Sequence, residues 1–413
     1  MLSATPTRGE PEVGIEPPSR PALLLQVAIV LAYAGVAFLR PALPSNLAYV
    51  DIVIAAICLV SLISMAMAGS PATKAGAKAL PWLWLILVGS FLGMSSVGIT
   101  SWGVADLLRT NFAVLAFFCI WHLMYVARLE RYAIWGTAIG LSITSLALLV
   151  QPFQYRGKAF FEHPNYAGHY CVMAAFLLFF AGKRWYFHAI AAFGLAMAIW
   201  QTGSFGAIAM SLSMLAVVLV RSLTRNTAVL AVGLIAVAVF GLFLLSPGAD
   251  SVSIGNGSWQ VNSSISSTRF DKSQEGRWSL WSNAWGAFEK EPLGVGPDGV
   301  HQRQIAILNG HPLEIHNDAL GYLVERGVLG LIGFIGFWVV VWRAARKGGL
   351  ARMFIVGALV QGMFRETFHY RHMWLIIAVA FVIDNRRQDA DDEAASGTGA
   401  ELGDEPAIGT ALT

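Results

Sequence analysis

Apolar stretches of bilayer-spanning length recur along most of the chain, and that recurrence leaves few folds open. They fall near 22–39, 47–68, 80–99, 107–126, 132–150, 165–182, 185–202, 204–220, 227–245, 328–342, 351–364 and 373–384. The fold class is an all-α polytopic membrane protein of about twelve transmembrane helices. The last two stretches are short, and a re-entrant pair is the alternative there. Composition agrees. Of 413 residues, 56% are hydrophobic and 13% charged, with mean hydropathy +0.60; soluble domains run nearer about 25% charged. This excludes a cytosolic globular enzyme, a disordered chain and a disulfide scaffold. Cys58, Cys119 and Cys171 sit in apolar runs and read as small core residues. A net charge of +3 gives no ground for nucleic-acid binding.

Lys and Arg set the orientation. With the N-terminus in the cytoplasm, alternate connections carry Arg8 and Arg20; Lys74 and Lys78; Arg128 and Arg131; Lys183 and Arg184; Arg221 and Arg225; Arg343, Arg346, Lys347 and Arg352; Arg386 and Arg387. The short outer loops are nearly free of them, as the positive-inside rule requires. The chain then divides into a disordered cytoplasmic N-tail (1–21), helices one to nine (22–245), a long periplasmic loop (246–318), helices ten to twelve (319–384) and an acidic disordered cytoplasmic C-tail (385–413). The N-tail has Glu10, Glu12 and Glu16 and lacks the charged start and cleavage site of a signal peptide. No transporter-type internal repeat is visible.

The long loop attracts function, because structureless connections of that length are usually functional. Ser251 to Ser273 is rich in Ser, Asn and Gly and reads as mobile. After it, Trp278, Trp281, Trp285 and Phe288 share helical spacing, so 277–290 reads as a helix lying on the outer membrane surface, aromatic face down. Arg277 falls in its first turn, where free backbone N–H groups favour an anion. It reads as a lipid-phosphate anchor or as a site for a substrate phosphate. Pro292 to Pro297, with Gly294 and Gly296, marks a tight turn.

Next, His316 precedes Asn317 and Asp318, either of which can cap the helix running into the tenth span. Its ordinary pKa suits proton abstraction at neutral pH. It also reads as a loop histidine that only hydrogen-bonds, and the spacing of His311, Glu314 and His316 matches no defensible metal set. Outside spans five and six, Arg156, Glu162, His163 and Asn165 surround a helix start at Pro164. Between the last two spans, Arg365, Glu366, His369, Arg371 and His372 crowd eight residues, with Glu366 placed to pair with either arginine. The outer face thus gathers Arg156, Arg277, Arg365 and Arg371. Guanidinium groups fork onto phosphate oxygens, so this mouth suits a lipid-linked diphosphate.

Gly276-Arg277-Trp278-Ser279-Leu280-Trp281, then Pro292-Leu293-Gly294-Val295-Gly296, then His316-Asn317 through Leu323, Glu325, Gly327 and Gly330, resembles the O-antigen ligase/polymerase superfamily. Arg156-Gly157 and His163-Pro164-Asn165 resemble its second block. The resemblance covers about 150–345, and the topology extends it over the chain. It implies a GT-C-like helical fold in the bacterial inner membrane. It implies transfer of a glycan from undecaprenyl diphosphate to an acceptor hydroxyl at the periplasmic face, with inversion and without metal, nucleotide or other cofactor. By match to the motifs, the resemblance implies that Arg277 engages the donor diphosphate and that His316 activates the acceptor hydroxyl as general base or orients it. Arg156, Arg365 and Arg371 are further diphosphate ligands, and Asn317, Asn165, His163 and Glu325 support them. The partners implied are a lipid-linked glycan donor, a glycan or lipid A-core acceptor, and membrane lipids.

One departure stands out. Many members carry Ser-Arg-Gly at the start of the eighth span, whereas this chain has Ser204-Phe205-Gly206. Arg156 or the Arg365/Arg371 pair is then left to replace the missing arginine. Polymerase, ligase and protein glycosyltransferase stay open. The rival of another class is a transporter or flippase, which requires ionisable groups at mid-membrane; Asp106 and Arg109 are the candidates.

Overall fold

The computed structural model describes residues 20–38, 48–151, 157–222, 267–305, 307–308, 311–312 and 315–395. The ninth apolar stretch, Arg156, Glu314 and most of both tails lie outside the described residues. Eight helices come first: α1 (Arg20–Gly35), α2 (Tyr49–Met67), α3 (Pro71–Val97), α4 (Ser101–Ala127), α5 (Glu130–Leu149), α6 (Pro164–Ala181), α7 (Trp185–Trp200) and α8 (Phe205–Ser222). The outer segment supplies α9 (Ser267–Lys290), a single turn α10 (Gly299–Gln302) and a minimal antiparallel pair, β1 (Ile307–Leu308) with β2 (His311–Pro312). Helices α11 (Asp318–Ala344), α12 (Leu350–Gly362) and α13 (Arg371–Ala395) follow. Among them α2, α3, α4, α5 and α11 are long and apolar enough to span a membrane, while α1, α7, α8 and α12 are apolar but shorter.

An aromatic core locks α4, α11 and α13 together. Trp374 stacks on Trp338 at 5.2 Å and meets Phe117 at 5.4 Å, and Trp121 meets Phe381 at 4.3 Å. Cationic residues collect at one end of this core. Arg386 reaches the Tyr125 carbonyl, Arg346 pairs with Asp391, and Arg352 lies 4.7 Å over Trp342. Asp384 accepts from the N–H groups of Leu350 and Ala351 at 2.7 and 2.8 Å, which fixes the start of α12 at that end. So the last turns of α4, α11 and α13 and the first of α12 lie together, as the Lys and Arg pattern requires.

Glycines set how α11 meets α3 and the outer segment. Gly327 has φ +63°, which breaks α11 into two helical pieces. The 292–296 turn enters that break: Val328 N–H donates to Pro292 O at 3.2 Å, Gly296 N–H to Glu325 O at 2.8 Å and Val295 N–H to Val324 O at 2.9 Å. A Cβ at Gly93 of α3 would lie 2.5 Å from both Glu325 O and Gly296 N. Three backbones meet where a side chain has no room.

Two expectations need correction. Helix α9 starts ten positions earlier than the aromatic spacing implies, at Ser267, so Arg277 lies well inside it. The argument from free N–H groups in a first turn therefore fails, since mid-helix amides bond within the helix. The C-tail also begins later. Helix α13 continues to Ala395 because its polar residues grip α4: Asn385 accepts from Trp121 Nε1 at 3.0 Å and Asp389 from the Tyr125 hydroxyl at 3.0 Å.

Replacing Gly327 with Ala puts a Cβ 2.5 Å from the Leu293 carbonyl at a left-handed backbone position. We expect Gly327→Ala to lower the thermal midpoint of the detergent-solubilised protein and its monodisperse yield. A midpoint equal to that of the natural protein would mean the break in α11 does not hold the outer segment.

Candidate active site

His316 stands in the short link between β2 and α11, and its neighbours fix it. Ile315, fully buried, is held from both sides: Trp281 Nε1 of α9 donates to its carbonyl at 3.0 Å, and its N–H donates to Glu366 Oε1 at 3.1 Å. Asn317 is the cap of α11, its side chain accepting from Leu320 N–H at 3.0 Å. Asp318, the next residue, accepts from the Thr367 N–H at 2.9 Å, the Thr367 hydroxyl at 2.7 Å and the Phe368 N–H at 3.3 Å. Between these anchors His316 adopts φ +59°. A left-handed conformation costs a residue with a Cβ about 1–2 kcal/mol, so the surroundings must impose it.

Arg277 reaches the same place from α9. Its guanidinium sits 5.3 Å from the Phe364 ring, and its Nη1 is buried with no hydrogen-bond partner among the described residues. Arg365 is buried next to it. It lies 4.4 Å over the Tyr166 ring and donates to the Tyr166 hydroxyl at 3.1 Å. Burial pulls Arg277 below its ordinary pKa, and the charge of Arg365 adds to that. His316 is pushed down to about 3, first by burial, then by Arg365, Arg277 and His163. It is therefore a neutral imidazole at physiological pH, able to accept a proton. Two guanidiniums beside a neutral imidazole repel each other, and a polyanion relieves that strain.

The remaining expected residues divide. His163 caps α6, its Nδ1 accepting from Asn165 N–H at 3.1 Å, and its ring is 6.2 Å from Tyr166. It thus touches the Arg365 platform. Arg371 goes elsewhere, pairing with the buried Asp51 of α2. The Arg365/Arg371 pair is split, because a nearby carboxylate from another helix claims Arg371. Glu325 is engaged by Arg326 at 2.9 Å, which also binds Asp106 at 2.6 Å. That places Glu325 in an ion network on α11. Glu366, set between two arginines in sequence, accepts from the Ile315 N–H.

The aromatic face of α9 also differs from expectation. Trp278 and Trp285 are exposed, but Trp281 turns inward, and Leu280 and Ala284 pack with Val295, Val300, Ile315 and Val324. At about 100° per residue, positions 278 and 285 align to within about 20°, while 281 rotates by about 60° toward the bundle. Trp281 becomes a clamp on the histidine link. Tyr166, Asp51 and the inward role of Trp281 were missed in the sequence. Only Asp51 carried a readable signal, as an acid inside an apolar run, which usually pairs.

Residues 169–335 match the O-Antigen ligase family (Wzy_C). The match covers less than half of the chain and supports the O-antigen ligase/polymerase superfamily. No curated protein matches the chain. The matched stretch contains Arg277, His316, Asn317 and Glu325 and leaves out His163, Arg365 and Arg371. The family implies glycan transfer, and among the described residues five helices are long and apolar enough to cross a membrane.

Trp281→Phe keeps an aromatic ring but trims the indole and removes the hydrogen bond to Ile315 O. We expect glycan transfer to fall about tenfold with the protein still folded, because small displacements of a reacting group are costly. Transfer at the natural rate, measured with equal amounts of protein, would show that the clamp does not position His316.

Proposed function

We propose that the protein moves a glycan from undecaprenyl diphosphate to an acceptor hydroxyl, at the periplasmic mouth of its helical bundle in the bacterial inner membrane. The observation that carries this reading is the convergence of Arg277 and Arg365 on His316, with a guanidinium nitrogen of Arg277 buried and without a hydrogen-bond partner among the described residues. Arg365 takes the place of the arginine missing at Phe205. Gly206, beside that position, faces the Gln361 side chain, and the Gln361 backbone carbonyl accepts from the Arg365 backbone N–H at 3.1 Å. A GT-C-like arrangement and the Lys and Arg orientation are consistent with this reading.

In the proposed reaction His316 takes the proton of the acceptor hydroxyl. The acceptor oxygen attacks the anomeric carbon from the face opposite the diphosphate. The bond between that carbon and the phosphate oxygen breaks, and the configuration inverts. The leaving diphosphate carries its charge away as an anion, which Arg277 and Arg365 stabilise in forked contacts. His316 then releases its proton to solvent. Arg371, paired with Asp51, contributes from outside the first layer of contacts.

The acceptor is a second lipid-linked repeat, as in a polymerase, or a lipid A core, as in a ligase. A protein hydroxyl is the third choice, and nothing in the outer segment suggests a protein-binding module. A transporter is less well supported, since Asp106 is held in an ion pair with Arg326.

Arg277→Ala and His316→Ala should each abolish transfer while leaving insertion and abundance intact. Arg277→Lys should also be poor, because a lysine cannot fork onto phosphate oxygens. The check is polysaccharide separated by size from a deletion strain carrying each variant. Single repeats on the core with long chains gone indicate a polymerase. Long chains left on the lipid carrier indicate a ligase. An unchanged profile in either alanine variant would overturn the proposal.

A further inference from the structure

The link between α12 and α13 is pinned at both ends. The Arg365 N–H donates to Gln361 O at 3.1 Å, and Trp374 Nε1 donates to Phe368 O at 2.6 Å. Between these points the link meets the residues around His316 twice. Glu366 Oε1 accepts from the Ile315 N–H at 3.1 Å. Asp318 accepts from the Thr367 N–H and hydroxyl at 2.9 and 2.7 Å. One contact lies before His316 in the chain and the other after it, and both fall within two residues of Arg365. A single contact would leave a pivot, whereas two set the spacing and the rotation of the segments together. Ile315, Asp318 and Thr367 are buried, so water does not compete for these bonds.

Glycines make room for both carboxyl groups. A Cβ at Gly362, the last residue of α12, would lie 2.5 Å from Asp318 Oδ2. Asp318 could yield only by giving up its bonds to Thr367 and Phe368. A Cβ at Gly321 of α11 would lie 3.2 Å from Glu366 Oε1.

Resting on the proposed transfer reaction, we propose that Glu366 and Asp318 form a clasp that sets Arg365 and His316 as one unit, with Glu366 and Thr367 as positioning residues for transfer. Arg365 faces the leaving diphosphate and His316 the attacking hydroxyl, which approach one carbon from opposite sides. Their spacing therefore decides whether attack is in line, and a shift of either costs rate more than binding.

The test uses the full chain, purified in detergent, with the lipid-linked glycan as donor and undecaprenyl diphosphate as the binding probe. Glu366→Ala should lower kcat about tenfold, with undecaprenyl diphosphate affinity within about twofold of the natural protein. Glu366→Gln keeps an oxygen that can accept from Ile315 and should recover most of the rate. Thr367→Val removes one hydroxyl and changes no charge. It should lower kcat in the same way, and Thr367→Ser should restore it. In Thr367→Val the His316 titration, followed by magnetic resonance, should move up from about 3 as the charge of Arg365 draws away. Gly362→Ala, which crowds Asp318 from outside, should act in the same direction. A natural kcat in both Glu366→Ala and Thr367→Val overturns the proposal. So does Glu366→Gln as slow as Glu366→Ala, because the charge or proton of Glu366 would then be what matters. An undecaprenyl diphosphate affinity that falls along with kcat also overturns it, because the contacts would then serve binding alone. Failure of the underlying reaction shows separately, as transfer that survives His316→Ala, whereas the His316 titration reads the clasp without any transfer.

Discussion

Close backbone contact between the 292–296 turn, α3 and the break in α11 is the constraint on which the outer segment depends. Gly93, Gly296 and Gly327 approach so closely that no Cβ fits between them. This contact ties α9 and its Arg277 to the helix whose first turn follows His316. Without it, the arginine and the histidine would ride on separate pieces of a long connection. Anchors at Ile315, Asn317 and Asp318 then finish the placement. Together they hold His316 in a backbone conformation it would not choose alone.

Electrostatics follows from that scaffold. Arg346, Arg352 and Arg386 gather at the far end of the bundle, where they meet carbonyls, an acid and rings. At the site end, Arg277 and Arg365 lie near His316, while Arg326 is held by Asp106 and Glu325. Burial and two neighbouring positive charges keep His316 neutral. A bound diphosphate would cancel those charges and make the imidazole a stronger base. The site would thus gain its base strength when the donor arrives, which limits idle proton uptake before then.

Much of this was legible in the sequence, for physical reasons. Apolar runs must become helices in lipid, and Lys and Arg bias alone fixed the helix directions seen for α4, α11, α12 and α13. The cap at Asn317 follows from side-chain chemistry and was readable. The family blocks placed Arg277 and His316 together although some 39 positions separate them in the chain. What failed were choices made by tertiary partners. Arg371 was equivalent to Arg365 in sequence until Asp51 claimed it. Trp281 shared a helical face with Trp278, yet a rotation of about 60° turned it from an anchor into a clamp.

The most direct test of the account is the titration of His316 itself. Imidazole nitrogens can be followed by magnetic resonance in the purified protein, with His316→Ala identifying the signal. The account predicts that His316 stays neutral down to about pH 4 in the protein alone. Addition of undecaprenyl diphosphate should then move its titration up toward the ordinary histidine range, and Arg277→Ala should weaken that response. A signal that titrates near pH 6.5 without ligand and ignores the diphosphate would contradict the claim that Arg277, Arg365 and His316 form one site.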